Sequence, residues 1–180
     1  MKNLQITAYT QSFIRQQVMP GDICIDATMG NGNDTVLLSI LAGEKGHVLA
    51  FDIQKQALEH TKERLKKDNC PENYQLILDS HENMAAYAEM ETVSCITFNL
   101  GYLPGGDHSV ATRADSSKRA VESVSRIVKG AMRFVFTVAG IPDFRSVMRC
   151  LYLSDNWIRI NIWSSSRNMQ TDPITRRCRY

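Results

Sequence analysis

Ile23-Cys24-Ile25-Asp26-Ala27-Thr28-Met29-Gly30-Asn31-Gly32-Asn33-Asp34-Thr35 decides how this 180-residue chain is read. A short β-branched run ends in an acid, Asp26, and two glycines, Gly30 and Gly32, follow inside a tight loop. Asp34 then opens an apolar helix. Strand, glycine-rich loop and helix in that order suit a nucleotide-like ligand, because small residues let backbone N–H groups and a helix N-terminus approach it closely. The loop carries no Lys-Ser/Thr pair, and its Gly-x-Gly lacks the third glycine of a dinucleotide fingerprint. Asp26, Thr28, Met29, Gly30, Asn31, Gly32, Asn33, Asp34 and Thr35 are the first binding candidates.

Moving outward, a helix over Asp34–Leu41 and a turn with Gly43 and Gly46 lead to His47–Ile53, a second buried strand with an acid at its tip. That acid, Asp52, lies 26 residues after Asp26. A carboxylate there can accept both hydroxyl protons of a ribose, which Asn or Ser could not match in strength. Ile53 and Gln54 flank it. The spacing also fits a nicotinamide dinucleotide site, and a strand-end acid capping the helix at Gln54–Leu58 is the structural alternative.

The remaining pattern alternates in the same way. Ile6–Val18 reads as an amphipathic helix, Asp22–Asp26 as the first strand, and Lys55–Asp68 as a helix with Ala57, Leu58, Thr61 and Leu65 on one face. Tyr74–Leu78 is a third strand ending in Asp79-Ser80-His81, followed by a short helix over Asn83–Ala88 and a fourth strand over Val93–Leu100. Gly101–Asp107 is a loop and Arg119–Val128 a further helix. Helix-length crossovers between strands imply a Rossmann-like α/β fold with a doubly wound, mostly parallel sheet, which places ligands at the carboxyl ends of the strands. The singular residues all fall there.

Composition is that of a soluble globular domain, 43% hydrophobic and 22% charged. No apolar run approaches the ~20 residues of a membrane span and the N-terminus lacks an apolar signal core, so a cytoplasmic location away from membranes is expected. The five cysteines form no C-x-x-C pair, and Cys24 and Cys95 read as small core residues in a reducing compartment. No metal site is expected. Charge is uneven: residues 1–112 hold 8 Lys+Arg against 14 Asp+Glu, whereas residues 113–180 hold 13 against 5.

The second singular stretch closes the fourth strand: Phe98-Asn99-Leu100-Gly101-Tyr102-Leu103-Pro104-Gly105-Gly106-Asp107. An Asn-x-x-Tyr/Pro loop can hold a planar amine or base through amide and backbone acceptors plus aromatic stacking. An Asn-capped Gly/Pro turn is the plain alternative. Taken with Asp-Ala-Thr-Met-Gly-Asn-Gly-Asn-Asp-Thr and Asp-Ser-His-Glu-Asn, this block resembles the YtqB/MnmM-like (rRNA methylase) family of small class I methyltransferases dependent on S-adenosyl-L-methionine (SAM). The resemblance covers about residues 5–129.

That resemblance implies the class I methyltransferase fold, SAM as cofactor and N-methylation of a primary alkyl amine. The family's substrate is 5-aminomethyl-2-thiouridine at the tRNA wobble position, so the anticodon stem-loop is the expected partner, with a homodimer as an allowed assembly. For such a reaction Asn99 is the candidate to orient the amine, with Asp26 and the Leu100 and Gly101 backbone carbonyls as further acceptors, and Tyr102 the one to stack on the base or shape its pocket. Asn99 and Leu100 also border the donor, and Asp79, Ser80 and His81 lie where the adenine edge is read. His81 could instead reach the substrate or cap the next helix. Gly101, Leu103, Pro104, Gly105, Gly106, Asp107, His108 and Thr112 line the substrate side. An rRNA or small-molecule acceptor, a NAD-dependent oxidoreductase and a degenerate protein retaining only ligand binding are the competing readings.

The family pattern stops near Gly130, which sets a core of residues 1–129 apart from an atypical segment over 130–180 of the same domain. After Lys129 there are eight Arg, no Lys and no Glu. Back-translating Asn156–Ile162 in a frame displaced by two nucleotides allows Leu-Asp-Pro-x-Lys-Tyr-Leu, a family-like segment. A frame-shifted C-terminus is therefore expected, with Phe134–Val138 as a makeshift fifth strand, Trp157–Trp163 β-like, and strand four left partly uncovered. Resequencing the gene tests this. The Arg-rich tail is accordingly not credited as an RNA surface.

Overall fold

The computed structural model describes residues 2–100, 119–120, 127–138 and 159–164. Helix α1 (Lys2–Gln17) leads to β1 (Ile23–Asp26), α2 (Asn33–Ala42), β2 (His47–Asp52), α3 (Lys55–Lys67) and β3 (Tyr74–Leu78). A 3₁₀ helix (His81–Ala86) precedes β4 (Val93–Leu100), β5 (Val128–Val138) and β6 (Arg159–Ser164). These strands form one sheet in the order β3-β2-β1-β4-β5-β6, and each pairing is parallel. Among the described residues, no helix is long and apolar enough to cross a membrane.

Parallel neighbours require a crossover, and α2 and α3 supply those from β1 to β2 and from β2 to β3. After β3 the chain returns to the far side of β1 to begin β4, so strand order reverses between β1 and β4. In open parallel sheets the carboxyl ends of the strands at such a reversal are where ligands bind.

The central strands are buried on both faces, as a sheet covered by helices requires. Ile14 and Val18, at and just past the end of α1, pack with Leu37, Leu38 and Ala42 of α2 against Cys24, Val48 and Cys95. Cys24 and Cys95 are register partners on β1 and β4, both buried and both free thiols. Burial pushes the Cys24 thiol far above its ordinary range, which suits a packing role. Further along the same face Met29, Ala50 and Ala57 form a smaller cluster with Leu58 and Leu76. The end of α2 is closed by a buried side chain: Asn73 donates to the Ser39 and Gly43 carbonyls at 3.0 and 2.8 Å and accepts from the Ser39 hydroxyl at 2.7 Å. These bonds add to the Gly43 and Gly46 N–H groups that the same two carbonyls already accept, and tie the segment before β3 to the end of α2.

Three expectations need correction. The short helix begins at His81 rather than Asn83, because the Ser80 hydroxyl accepts the Glu82 N–H and starts the turn earlier. Val128 opens β5 rather than ending a helix. Strand β4 is not left uncovered: β5 pairs with it from Val93 to Leu100, and β6 adds to β5. Parallel pairing to a neighbour already in place recruited residues before Phe134 that show no strand pattern of their own.

Candidate functional site

Four strand tips share the carboxyl edge of the sheet. Asp26 ends β1, Asp52 ends β2, Asp79 follows β3 and Asn99 lies near the end of β4. Between β1 and α2 the loop turns tightly, with the Gly32 N–H on the Met29 carbonyl at 2.7 Å and the Met29 N–H on the Phe51 carbonyl at 2.9 Å. Gly30 and Gly32 take φ values of 51° and 76°, a left-handed conformation that glycine adopts without steric cost.

Asp26 is fully buried. Its Oδ1 accepts the Thr28 N–H at 3.2 Å and its Oδ2 the Thr35 hydroxyl at 2.7 Å. The Thr28 hydroxyl accepts the Asn99 N–H at 2.6 Å, and the Asn99 side-chain amide donates to Asp34 Oδ2 at 2.8 Å. A chain of bonds thus joins the first loop to the tip of β4. Asp34 is also buried, at 6% exposure. Burial, and then the charge of Asp34, push the Asp26 carboxyl up to about 7. Burial likewise raises Asp34, against hydrogen bonds from Asn99 and Gln11 that pull it down. Among the described residues, no cation forms an ion pair with either acid.

Asp52 serves two neighbours. Its Oδ2 accepts the Gly30 N–H at 3.0 Å and its Oδ1 the Gln54 N–H at 2.9 Å, just before α3. It therefore anchors the glycine loop and also makes the helix-start contact weighed as the structural alternative. Each carboxylate oxygen keeps a further lone pair. Burial raises its pKa, and the hydrogen bonds from Gln54, Gly30 and Ile53 lower it. Ile53, beside it, is exposed.

Asp79, Ser80 and His81 follow β3 with different surroundings. Asp79 accepts from the Asn83 amide at 2.8 Å and the Tyr87 hydroxyl at 2.9 Å, contacts that lower its pKa. Ser80 takes the capping role, while His81 is buried edge-on to the Phe98 ring, with centroids 5.9 Å apart. Its Nε2 is buried without a hydrogen-bond partner, and burial lowers the imidazole pKa to about 4.

The predicted residues from Asp26 to Thr35, Asp52 to Gln54, Asp79 to His81, and Asn99 thus lie on consecutive strand tips of one sheet edge. Leu100 ends β4. Gly101, Tyr102, Leu103, Pro104, Gly105, Gly106, Asp107, His108 and Thr112 lie outside the described residues. The sequence reading missed contacts from α3: Thr61 donates to the Gly30 carbonyl, His60 pairs with Asn31 and Arg64 with Asn33. Among the described residues, no group of three or more His, Cys, Asp or Glu could hold a metal ion.

A family model described as "Putative rRNA methylase" matches residues 48–141. The chain is 33% identical over 161 residues to the chloroplastic tRNA (mnm(5)s(2)U34)-methyltransferase of Arabidopsis thaliana, a match covering 82% of this chain and 58% of that protein. The chain therefore spans little more than half the length of that relative. Among solved structures, a putative rRNA-methylase from Clostridium thermocellum superposes with a TM-score of 0.74 at 35% identity, covering 83% of this chain and 82% of the other. A putative methyltransferase from Streptococcus mutans, solved in complex with SAH, gives 0.71 at 34% identity with the same coverage.

Proposed function

Because the chain belongs to the family described as "Putative rRNA methylase", we propose that it is a class I SAM-dependent methyltransferase acting on RNA. The finer proposal is N-methylation of the 5-aminomethyl group of 5-aminomethyl-2-thiouridine at the tRNA wobble position, in line with the activity for which the Arabidopsis relative is named.

The observation that carries the reading is the buried pair Asp26 and Asp34 at the strand reversal, which no described cation neutralises. Two acids left together in low dielectric favour a cationic ligand. SAM carries a sulfonium and an α-ammonium group. The left-handed loop at Gly30–Gly32 leaves room for close backbone approach, and Asp52 retains acceptor capacity for ribose hydroxyls. The residues present therefore fit the donor. When bound, SAM supplies an electrophilic methyl group.

The chain's own contribution is position and proton management. An ionised Asp34 offers only acceptors, so Asn99 must turn its NH₂ toward Asp34 and leave its amide oxygen free to accept an N–H from the substrate. An alkyl ammonium must lose a proton before its nitrogen can react, and the Asp26–Asp34 pair provides a nearby acceptor. Holding the amine in line then supplies most of the acceleration.

Calorimetry on the full chain with SAM and, separately, NAD tests the class. SAM should bind and NAD should not; the reverse result ends the reading. Mass spectrometry of tRNA nucleosides from a deletion strain, with and without complementation, tests the substrate. The methylaminomethyl-thiouridine should vanish and return, and an unchanged level would reject the tRNA assignment.

A further inference from the structure

Helix α3 touches the glycine loop with three side chains, none of which the proposed chemistry uses. Thr61, fully buried, donates its hydroxyl to the Gly30 carbonyl at 3.2 Å. His60 Nδ1 lies 3.2 Å from Asn31 Oδ1, and Arg64 donates through Nη1 to Asn33 Oδ1. His60 and Arg64 are one turn apart and so share a helix face. The fit is tight at its centre: a Cβ on Gly32 would stand 2.9 Å from Thr61 Oγ1 and 3.1 Å from Thr61 Cα. These contacts link positions about thirty apart in sequence: 60 with 31, 61 with 30 and 64 with 33.

A loop with two left-handed glycines has many conformations open to it, and the cost of fixing them is charged to binding unless the fold has already met it. Two anchors come from β2, through Asp52 Oδ2 on the Gly30 N–H and the Phe51 carbonyl on the Met29 N–H. The remaining side is held by α3, which starts three residues after Asp52. Ala57 and Leu65, buried on the same helix, fix α3 to the body of the protein.

We propose that His60, Thr61 and Arg64 are positioning residues that brace the loop Gly30–Asn33 in its donor-binding shape, so that SAM affinity depends on α3. This rests on the reading that SAM binds at the loop. The brace acts through the Gly30 carbonyl and the side chains of Asn31 and Asn33. Removing it should therefore raise the KM for the donor with little change in kcat at saturation, and loosen the loop in the ligand-free protein.

The test combines SAM calorimetry with amide exchange of residues 30–33 in the ligand-free chain. His60 is exposed and Arg64 partly so, which makes Arg64→Ala and His60→Ala compatible with an intact fold; thermal denaturation verifies this. Each should weaken SAM binding about three- to tenfold and speed loop exchange by a similar factor, the range of a modest hydrogen bond partly open to solvent. Thr61→Val should do the same, and Thr61→Ser should restore binding by returning the hydroxyl. In a double-mutant cycle, Arg64→Ala should have little further effect once Asn33 is Ala. Unchanged SAM affinity and unchanged exchange in Arg64→Ala and Thr61→Val, with wild type still binding SAM, would overturn the brace. Failure of wild type to bind SAM would overturn the underlying function, and the brace's role in donor binding with it.

Discussion

The side-chain amide of Asn99 and the carboxylate of Asp34 meet at 2.8 Å, joining the tip of β4 to the start of α2 across 65 positions of chain. Neither residue has its orientation set by its own element alone. Replacing Asn99 with Ala should lower turnover by about 10²-fold, the scale on which a misplaced reacting group costs rate, and leave SAM affinity nearly intact. Asp34→Asn replaces an acceptor-only carboxylate with an amide that can also donate, so the Asn99 amide is no longer held in one orientation and turnover should fall by a smaller factor. Single-turnover methylation beside SAM calorimetry checks both. A collapse of SAM binding in Asn99→Ala would reassign that residue to the donor.

Asp52 is expected to act on the donor twice, directly and through the Gly30 N–H it holds at 3.0 Å. Asp52→Ala should weaken SAM binding by about 1.5–3 kcal/mol, the range for hydrogen bonds to a charged group. Calorimetry reads this, and amide exchange at Gly30 separates the lost anchor from the lost ligand contact. An affinity within twofold of wild type would remove Asp52 from the site.

The strand tips were legible because strand, loop and helix each leave a local mark: β-branched runs over Ile23–Ile25 and His47–Phe51, acids at their ends, and glycines between. The α3 contacts to the loop were not. Helical periodicity identifies the apolar face bearing Ala57, Thr61 and Leu65, but which loop atoms His60 and Arg64 reach depends on how the helix sits on the sheet. Asn73 is a similar case, since only the fold brings it under the end of α2. The start of β5 carries no local strand signal: Val128 pairs with Val93 of β4 before the register shifts and resumes at Arg133 opposite Cys95. His81 looked like a cap or a ligand; the adjacent Ser80 took the cap and left the imidazole buried.

Folded Asp26 is raised from 3.8 to about 7, so it keeps its proton where the unfolded chain has lost it. The stability it contributes is complete below about pH 4 and is lost as pH rises through about 7. Urea denaturation of the ligand-free protein should therefore show stability falling from about pH 4 to about pH 7 and levelling off above it, and Asp26→Asn should flatten the slope. Ionisation of the folded carboxyl should favour the sulfonium, so the affinity of SAM relative to SAH, which lacks that charge, should rise as pH passes through about 7. A constant ratio would separate Asp26 from the donor's charge.

His81 works in the opposite sense. Burial lowers its pKa from 6.5 to about 4, so the unfolded chain binds a proton first as pH falls. Its stabilising share is complete above about pH 6.5 and is lost on acidification toward pH 4, where it opposes the Asp26 slope. His81→Leu removes the buried unpartnered Nε2 and should raise stability at pH 7 by about 1 kcal/mol. The variant should also show the Asp26 slope unopposed between pH 4 and 6.5. Urea titrations at pH 5 and 7 decide this, and a variant less stable at both would mean that the imidazole holds a contact that Leu cannot replace.

Gly32 and Gly21 both have positive φ, at 76° and 92°, but only one is crowded. Around Gly21 an added Cβ meets nothing within 4 Å, so Gly21→Ala should cost only the backbone preference, about 1 kcal/mol. At Gly32 the same methyl group would press on Thr61 Oγ1, Cγ2 and Cα at 2.9 to 3.1 Å. The side-chain atoms can turn aside, but the Cα moves only with α3. Gly32→Ala should therefore cost more than Gly21→Ala, about 2–3 kcal/mol in all. It should also weaken SAM binding, whereas Gly21→Ala should leave SAM affinity unchanged. Denaturation and calorimetry on the pair isolate the steric contact between loop and helix from the cost of a left-handed residue. Equal losses at the two positions would mean that the loop and α3 are not in close contact at Thr61.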